Sequence, residues 1–85
     1  MTALTVLVVD DEQPALDELA FLLGRDDRVG TIMTCDSAPE ALRVLRDGGV
    51  DAVFLDIEMP GLNGLELASV LGRFRGQGRH VSAAR

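Results

Sequence analysis

The chain has 85 residues, 47% of them hydrophobic and 26% charged, with a formal net charge of −6, no Trp or Tyr, and a single cysteine. That length excludes a second domain and that hydrophobicity excludes a disordered chain, so the sequence is expected to form one small domain with an aliphatic core and little surplus stability. The charge is divided unevenly: residues 1–72 hold all fourteen acids and four arginines, whereas residues 73–85 hold four arginines and no acid, and lysine is absent throughout.

An acidic body argues against direct contact with nucleic acid phosphates and in favour of a metal ion or basic partners. The apolar stretch Val6–Val9 is too short for a membrane span, and no basic residue precedes it as a secretion signal would require. The chain is therefore expected to be cytoplasmic, without a membrane partner. Cys35, standing alone, is expected to pack and nothing more.

In chain order, Leu4–Val9 (LTVLVV) reads as a strand buried on both faces, ending at Asp10-Asp11-Glu12. Pro14 suits a first helical turn, and Ala15, Leu16, Leu19, Ala20, Leu22 and Leu23 continue at helical spacing to Gly24. Val29–Cys35 predicts a second strand, weakened by Gly30. Ser37 three residues before Glu40 forms a capping box for a second helix, whose apolar stripe runs through Ala41, Leu42, Val44 and Leu45 to Gly48-Gly49. Asp51–Asp56 (DAVFLD) is a third buried strand, followed by a loop at Met59-Pro60-Gly61. Asn63 and Glu66 repeat the capping pattern before a third helix that runs to about Gly72. Beyond Gly72 no period survives, and residues 73–85 read as an irregular or disordered tail in which His80 is a bystander.

The order β-α-β-α-β-α with such apolar strands predicts a parallel sheet with right-handed crossovers and helices on both faces. Ligands of such sheets bind beyond the carboxyl ends of the strands. Asp10 and Asp11 end the first strand and Asp56 ends the third, so if these strands are neighbours three carboxylates converge. Any one of them alone reads as a solvated turn residue. Together, at about 4 Å, pairs would repel by roughly 4 kcal/mol at an effective dielectric near 20, and a hard divalent cation is the simplest remedy. An oxygen-only set suits Mg²⁺, which keeps waters and shares itself between carboxylates and phosphate. Asp56, alone at a strand end before a Gly/Pro loop, is then the candidate nucleophile for a phosphoryl group.

Those residues, with the run Val53-Phe54-Leu55-Asp56-Ile57-Glu58-Met59-Pro60-Gly61-Leu62-Asn63-Gly64, resemble the receiver domains of two-component response regulators, over residues 4 to about 72. The resemblance implies a flavodoxin-like (CheY-like) α/β fold with strand order 2-1-3-4-5, of which only the first three β-α units are expected here, the domain being cut after the third helix. It implies phosphorylation of Asp56 by a sensor histidine kinase, Mg²⁺ held by Asp11 with Asp10 and Asp56, and a backbone carbonyl of Glu58 on the metal. Pro60 and Gly64 would shape the loop, Met59 would pack near the site, and Glu12 is read as a helix N-terminal charge. The phrase Asp10-Asp11-Glu12-Gln13-Pro14-Ala15-Leu16-Asp17-Glu18-Leu19 also resembles the LytTR branch, which joins a receiver to a DNA-binding domain. The family's phosphoryl-contacting Ser or Thr, about thirty residues past the acceptor, and its later Lys would both fall outside the chain.

The function expected is thus a phosphoacceptor in bacterial signalling, not an enzyme, within a regulator of transcription. The alternative is a truncated receiver that cannot be phosphorylated and acts as an interaction fragment. Homodimerisation through a receiver surface, or through the sheet edge that the third strand would leave bare, is expected with either.

Overall fold

The computed structural model describes residues 3–56, 64–76 and 78–84. In chain order these form β1 (Leu4–Val9), α1 (Gln13–Gly24), β2 (Val29–Cys35), α2 (Ala38–Asp47), β3 (Ala52–Asp56), α3 (Gly64–Gly76) and β4 (His80–Ala84). All strands are parallel, in the order β2-β1-β3-β4.

The central position of β1 follows from its sequence. Val6, Leu7, Val8 and Val9 are each no more than 2% exposed, so both faces must be covered. Leu7 and Val9 join Val53, Leu55 and Cys35 on one face, under Ala41, Leu42 and Leu45 of α2 and Val70 and Phe74 of α3. Val6 and Val8 join Ala52 on the other, where Leu16 of α1 is the buried helical contact and Leu19 and Leu23 pack beside it. β2 lies at the edge, and its exposure pattern leaves only Cys35 buried. Gly30 belongs there because a Cβ would collide with Ala3 beside the register shift between Leu4 and Thr5.

The Ser37 half of the expected capping box forms. Glu40 N–H donates to Ser37 Oγ at 3.4 Å, although the Glu40 carboxylate turns to Arg43 at 3.4 Å instead of completing the reciprocal half of the box. Gly48 and Gly49, at φ of 85° and 89°, make the left-handed exit from α2 that a side chain would resist. Asn63, expected to cap the third helix, lies outside the described residues.

The expectation of a domain cut after the third helix, with a disordered tail from residue 73, is corrected by the structure. α3 continues to Gly76 because Phe74, one helical turn beyond Val70, reaches the core and is 6% exposed. Gly78, at φ 80°, then turns the chain into β4, which pairs Ala52↔His80 through Asp56↔Ala84 along β3. The bare edge expected on β3 is therefore covered. Val81 packs against the larger cluster, and Arg79 Nη1 donates to the Val50 carbonyl and lies 3.3 Å from Asp51 Oδ1. The other Asp51 oxygen accepts from Thr5 N–H at 2.9 Å, so one carboxylate ties the start of β1 to the lead-in of β4.

Replacing Arg79 with Ala removes bonds to a carbonyl and a carboxylate that are both part-buried. Its unfolding free energy is expected to fall by about 1 kcal/mol, read as a lower urea midpoint at unchanged slope. A tail detached from the fold would give no change.

Candidate functional site

The site grows from the pairing of β1 with β3. Val9 is opposite Leu55, so the next residue on each strand, Asp10 and Asp56, emerge side by side at the carboxyl edge of the sheet. Asp10 is anchored twice: its N–H donates to the Cys35 carbonyl at 3.2 Å, and its Oδ1 accepts from Glu12 N–H at 2.9 Å. That second bond is an Asx-type turn, which sends the chain directly into α1 and leaves Asp11 projecting at the bend. Glu12 is the exposed N-cap residue of α1 and makes no side-chain cap bond, in keeping with its reading as a helix N-terminal charge.

Asp10, Asp11 and Asp56 each present a carboxylate oxygen, and these oxygens lie within 4.8 Å of one another. Asp10 and Asp56 are half-buried, whereas Asp11 is exposed. Three like charges at that spacing repel by about 1 kcal/mol per pair under full solvent screening and about 3 to 4 at an effective dielectric near 20. The half-buried pair belongs toward the upper figure and the pairs with Asp11 toward the lower. An all-oxygen, three-carboxylate donor set fits a hard divalent cation, and such an ion would leave room for further oxygen ligands. Glu58, expected to add a backbone carbonyl, lies outside the described residues, as do Met59 and Pro60.

Beside the carboxylates is a cleft of about 110 Å³ whose walls include Asp10, Leu19, Phe54, Asp56 and Ser82. Ser82 was not legible as a site residue. It pairs with Phe54 in the register of β4 and stands 26 positions after Asp56, short of the thirty or so that the resemblance implied. Only the formation of β4 brings a hydroxyl to the acidic edge. Cys35, nearby at the end of β2, is 4% exposed, and burial, followed by the charge of Glu40, pushes its thiol up to about 11. It is a packed thiol and not a nucleophile at neutral pH.

A model of the response regulator receiver domain matches residues 6–82. The chain belongs to the response regulator receiver family. This receiver is similar to an uncharacterized response regulatory protein of Yersinia pestis, at 46% identity over 68 residues, covering 80% of this chain and 29% of that protein. It is also similar to the sensory transduction protein LytT of Bacillus cereus, at 44% over 72 residues, covering 85% and 29%. The transcriptional regulatory protein YpdB of Escherichia coli K12 is 36% identical over 69 residues, covering 81% and 28%. The receiver thus spans less than a third of the length of these curated relatives. Its fold matches that of a yeast receiver, in the co-crystal structure of the Saccharomyces cerevisiae histidine phosphotransfer signaling protein Ypd1 and the receiver domain of its downstream response regulator Ssk1. There the TM-score is 0.64 at 24% identity, over 89% of this chain and 51% of the other. The flavodoxin-like topology expected from the sequence is the one observed, in four strands instead of three.

If the carboxylates are a cation site, Mg²⁺ should raise the thermal midpoint of the receiver progressively, in step with the logarithm of its concentration once that exceeds the dissociation constant. Asp11→Asn, which lowers the repulsion without touching the core, should raise the metal-free midpoint by a few degrees at low salt and blunt the response to Mg²⁺. A thermal melt series with and without chelator reads both effects.

Proposed function

We propose that this receiver accepts a phosphoryl group on Asp56 from a phosphohistidine partner, with Mg²⁺ bound by Asp10, Asp11 and Asp56. The observation that carries the reading is the convergence of those three carboxylates at the end of paired central strands, with Asp56 facing a cleft. A carboxylate oxygen of Asp56 attacks phosphorus as the bond from phosphorus to the imidazole nitrogen breaks. The product is an acyl phosphate on Asp56, and the released imidazole takes up a proton from solvent. A bound divalent ion offsets the negative charge that would otherwise keep a phosphate away from three carboxylates. Asp10, held by its bonds to Glu12 and Cys35, fixes the position of the charge pair, and Phe54 and Leu19 limit water on one side of Asp56. We assign Ser82 as the hydroxyl that contacts the transferred group, and Glu58 as the source of a further carbonyl ligand.

The chain serves here as an acceptor that stores the phosphoryl group, not as an enzyme with its own substrate. Likeness to LytT and to a transcriptional regulatory protein supports placement in a bacterial regulator of transcription of the LytTR type, with a sensor histidine kinase as donor. In such a regulator the DNA contacts would be made by another domain, since the acidic surface here suits no phosphate backbone. A cytoplasmic location follows from that role, and among the described residues no helix is long and apolar enough to cross a membrane.

The test is intact-protein mass after incubation with a small-molecule phosphodonor. A single phosphoryl adduct is expected that requires Mg²⁺ and is absent from Asp56→Asn. A folded protein that gains no adduct, or an adduct that persists in Asp56→Asn, would overturn the assignment and favour a receiver that acts only by binding.

A further inference from the structure

The C-terminal ends of α2 and α3 enclose a cleft that neither the acceptor site nor the strand pairing uses. It has a volume of about 350 Å³ and is lined by Leu45 and Arg46 of α2 and by Val70, Arg73 and Phe74 of α3. The three apolar residues belong to the larger core cluster and are each no more than 9% exposed, so they form a fixed floor. Arg46 and Arg73 are exposed, one on each helix, and bring two guanidinium groups to the walls. Among the described residues no acid lines the cleft, in a chain whose first 72 residues hold fourteen acids and four arginines. Arg28, Arg43 and Arg79 each face a carboxylate, whereas Arg73 pairs with no acid among the described residues.

A base in the last turn of a helix answers the dipole, and both arginines stand in last turns. That accounts for their charge but not for their sharing one cavity. Each guanidinium has five N–H donors, so bonds to its own helix end or to a neighbour leave others for a ligand. Arg79 N–H donates to the Phe74 carbonyl at 3.4 Å just before β4 begins, which puts this end of α3 at the amino edge of the sheet. The five residues of β4 separate that edge from the carboxylates by about 16 Å, twice the Debye length of about 8 Å in physiological salt. The acidic cluster therefore does little to repel an anion bound here.

The lining spans little more than one turn of either helix, about 6 Å along α3, which suits a compact molecule and not an extended peptide. An apolar cavity of about 150 Å³ holds a benzene, so this cleft has room for a body of two fused rings. A planar guanidinium matches a carboxylate and also stacks on aromatic faces. We propose that the cleft binds a small aromatic carboxylate, its rings against Leu45, Val70 and Phe74 and its carboxylate between Arg46 and Arg73. The site is independent of Asp56 and of any metal there.

The probe is naphthoate, titrated into the isotope-labelled 85-residue chain with backbone amide NMR as the readout. Saturable shifts are expected over residues 45–47 and 70–76, with a dissociation constant on the order of 1 mM. Naphthamide, the uncharged analogue, should bind at least about fivefold more weakly. Arg46→Gln and Arg73→Gln should each weaken naphthoate by about the same factor, and Arg73→Lys, which keeps the charge without the fork, should fall between Arg73→Gln and the parent. Both arginines are exposed, so circular dichroism should show every variant folded. The absence of saturable shifts up to about 10 mM would overturn the proposal. So would shifts centred on Asp10, Asp11 and Asp56 or on another face, naphthamide binding as tightly as naphthoate, or glutamine variants that bind like the parent.

Discussion

The register of β1 against β3 is the constraint on which the rest of this molecule depends. Val6↔Ala52 through Val9↔Leu55 buries both faces of the central strands and, in the same step, fixes Asp10 beside Asp56 one residue further on. A slip of a single residue would turn every side chain of one strand to the wrong face. The site is therefore as well placed as the core is. The carboxylates do not attract one another, so the strands that carry them must hold them together.

What was legible in the sequence follows where local signals and global placement agree. β1 and β2 end where the residues said they would, since Leu4–Val9 and Val29–Cys35 are bounded by charges or loops and have apolar content of their own. Ser37 and the Gly48-Gly49 pair mark α2 because caps and left-handed turns have few chemical solutions. The convergence of Asp10, Asp11 and Asp56 needed only one topological assumption, that the first and third strands are neighbours.

The remainder was hidden for a physical reason. HVSAA contains one β-branched residue, and nothing in it demands a strand; it becomes one because β3 presents a ladder of unpaired backbone groups and Arg79 secures the approach. Phe74 sits among arginines and glycines, so its apolar period is visible only when Val70, one turn earlier, is known to be buried. Ser82 inherits that obscurity. Its place in the cleft depends on pairing with Phe54, a tertiary relation with no local sequence signature.

The site and the stability of the fold are consequently linked. A domain of this size has little stability in reserve, and its acidic edge subtracts from it. Whatever neutralises that edge, a cation or a variant with one carboxylate fewer, acts on the β1–β3 junction from which both halves of the core extend. A cation bound to the folded chain alone adds stability as the logarithm of one plus its concentration divided by its dissociation constant. A phosphoryl group on Asp56, as proposed, would change the same balance in the opposite sense, by adding charge where β3 ends and β4 runs alongside it, at Ala84. Ser82, two residues before Ala84, lines the cleft beside Asp56.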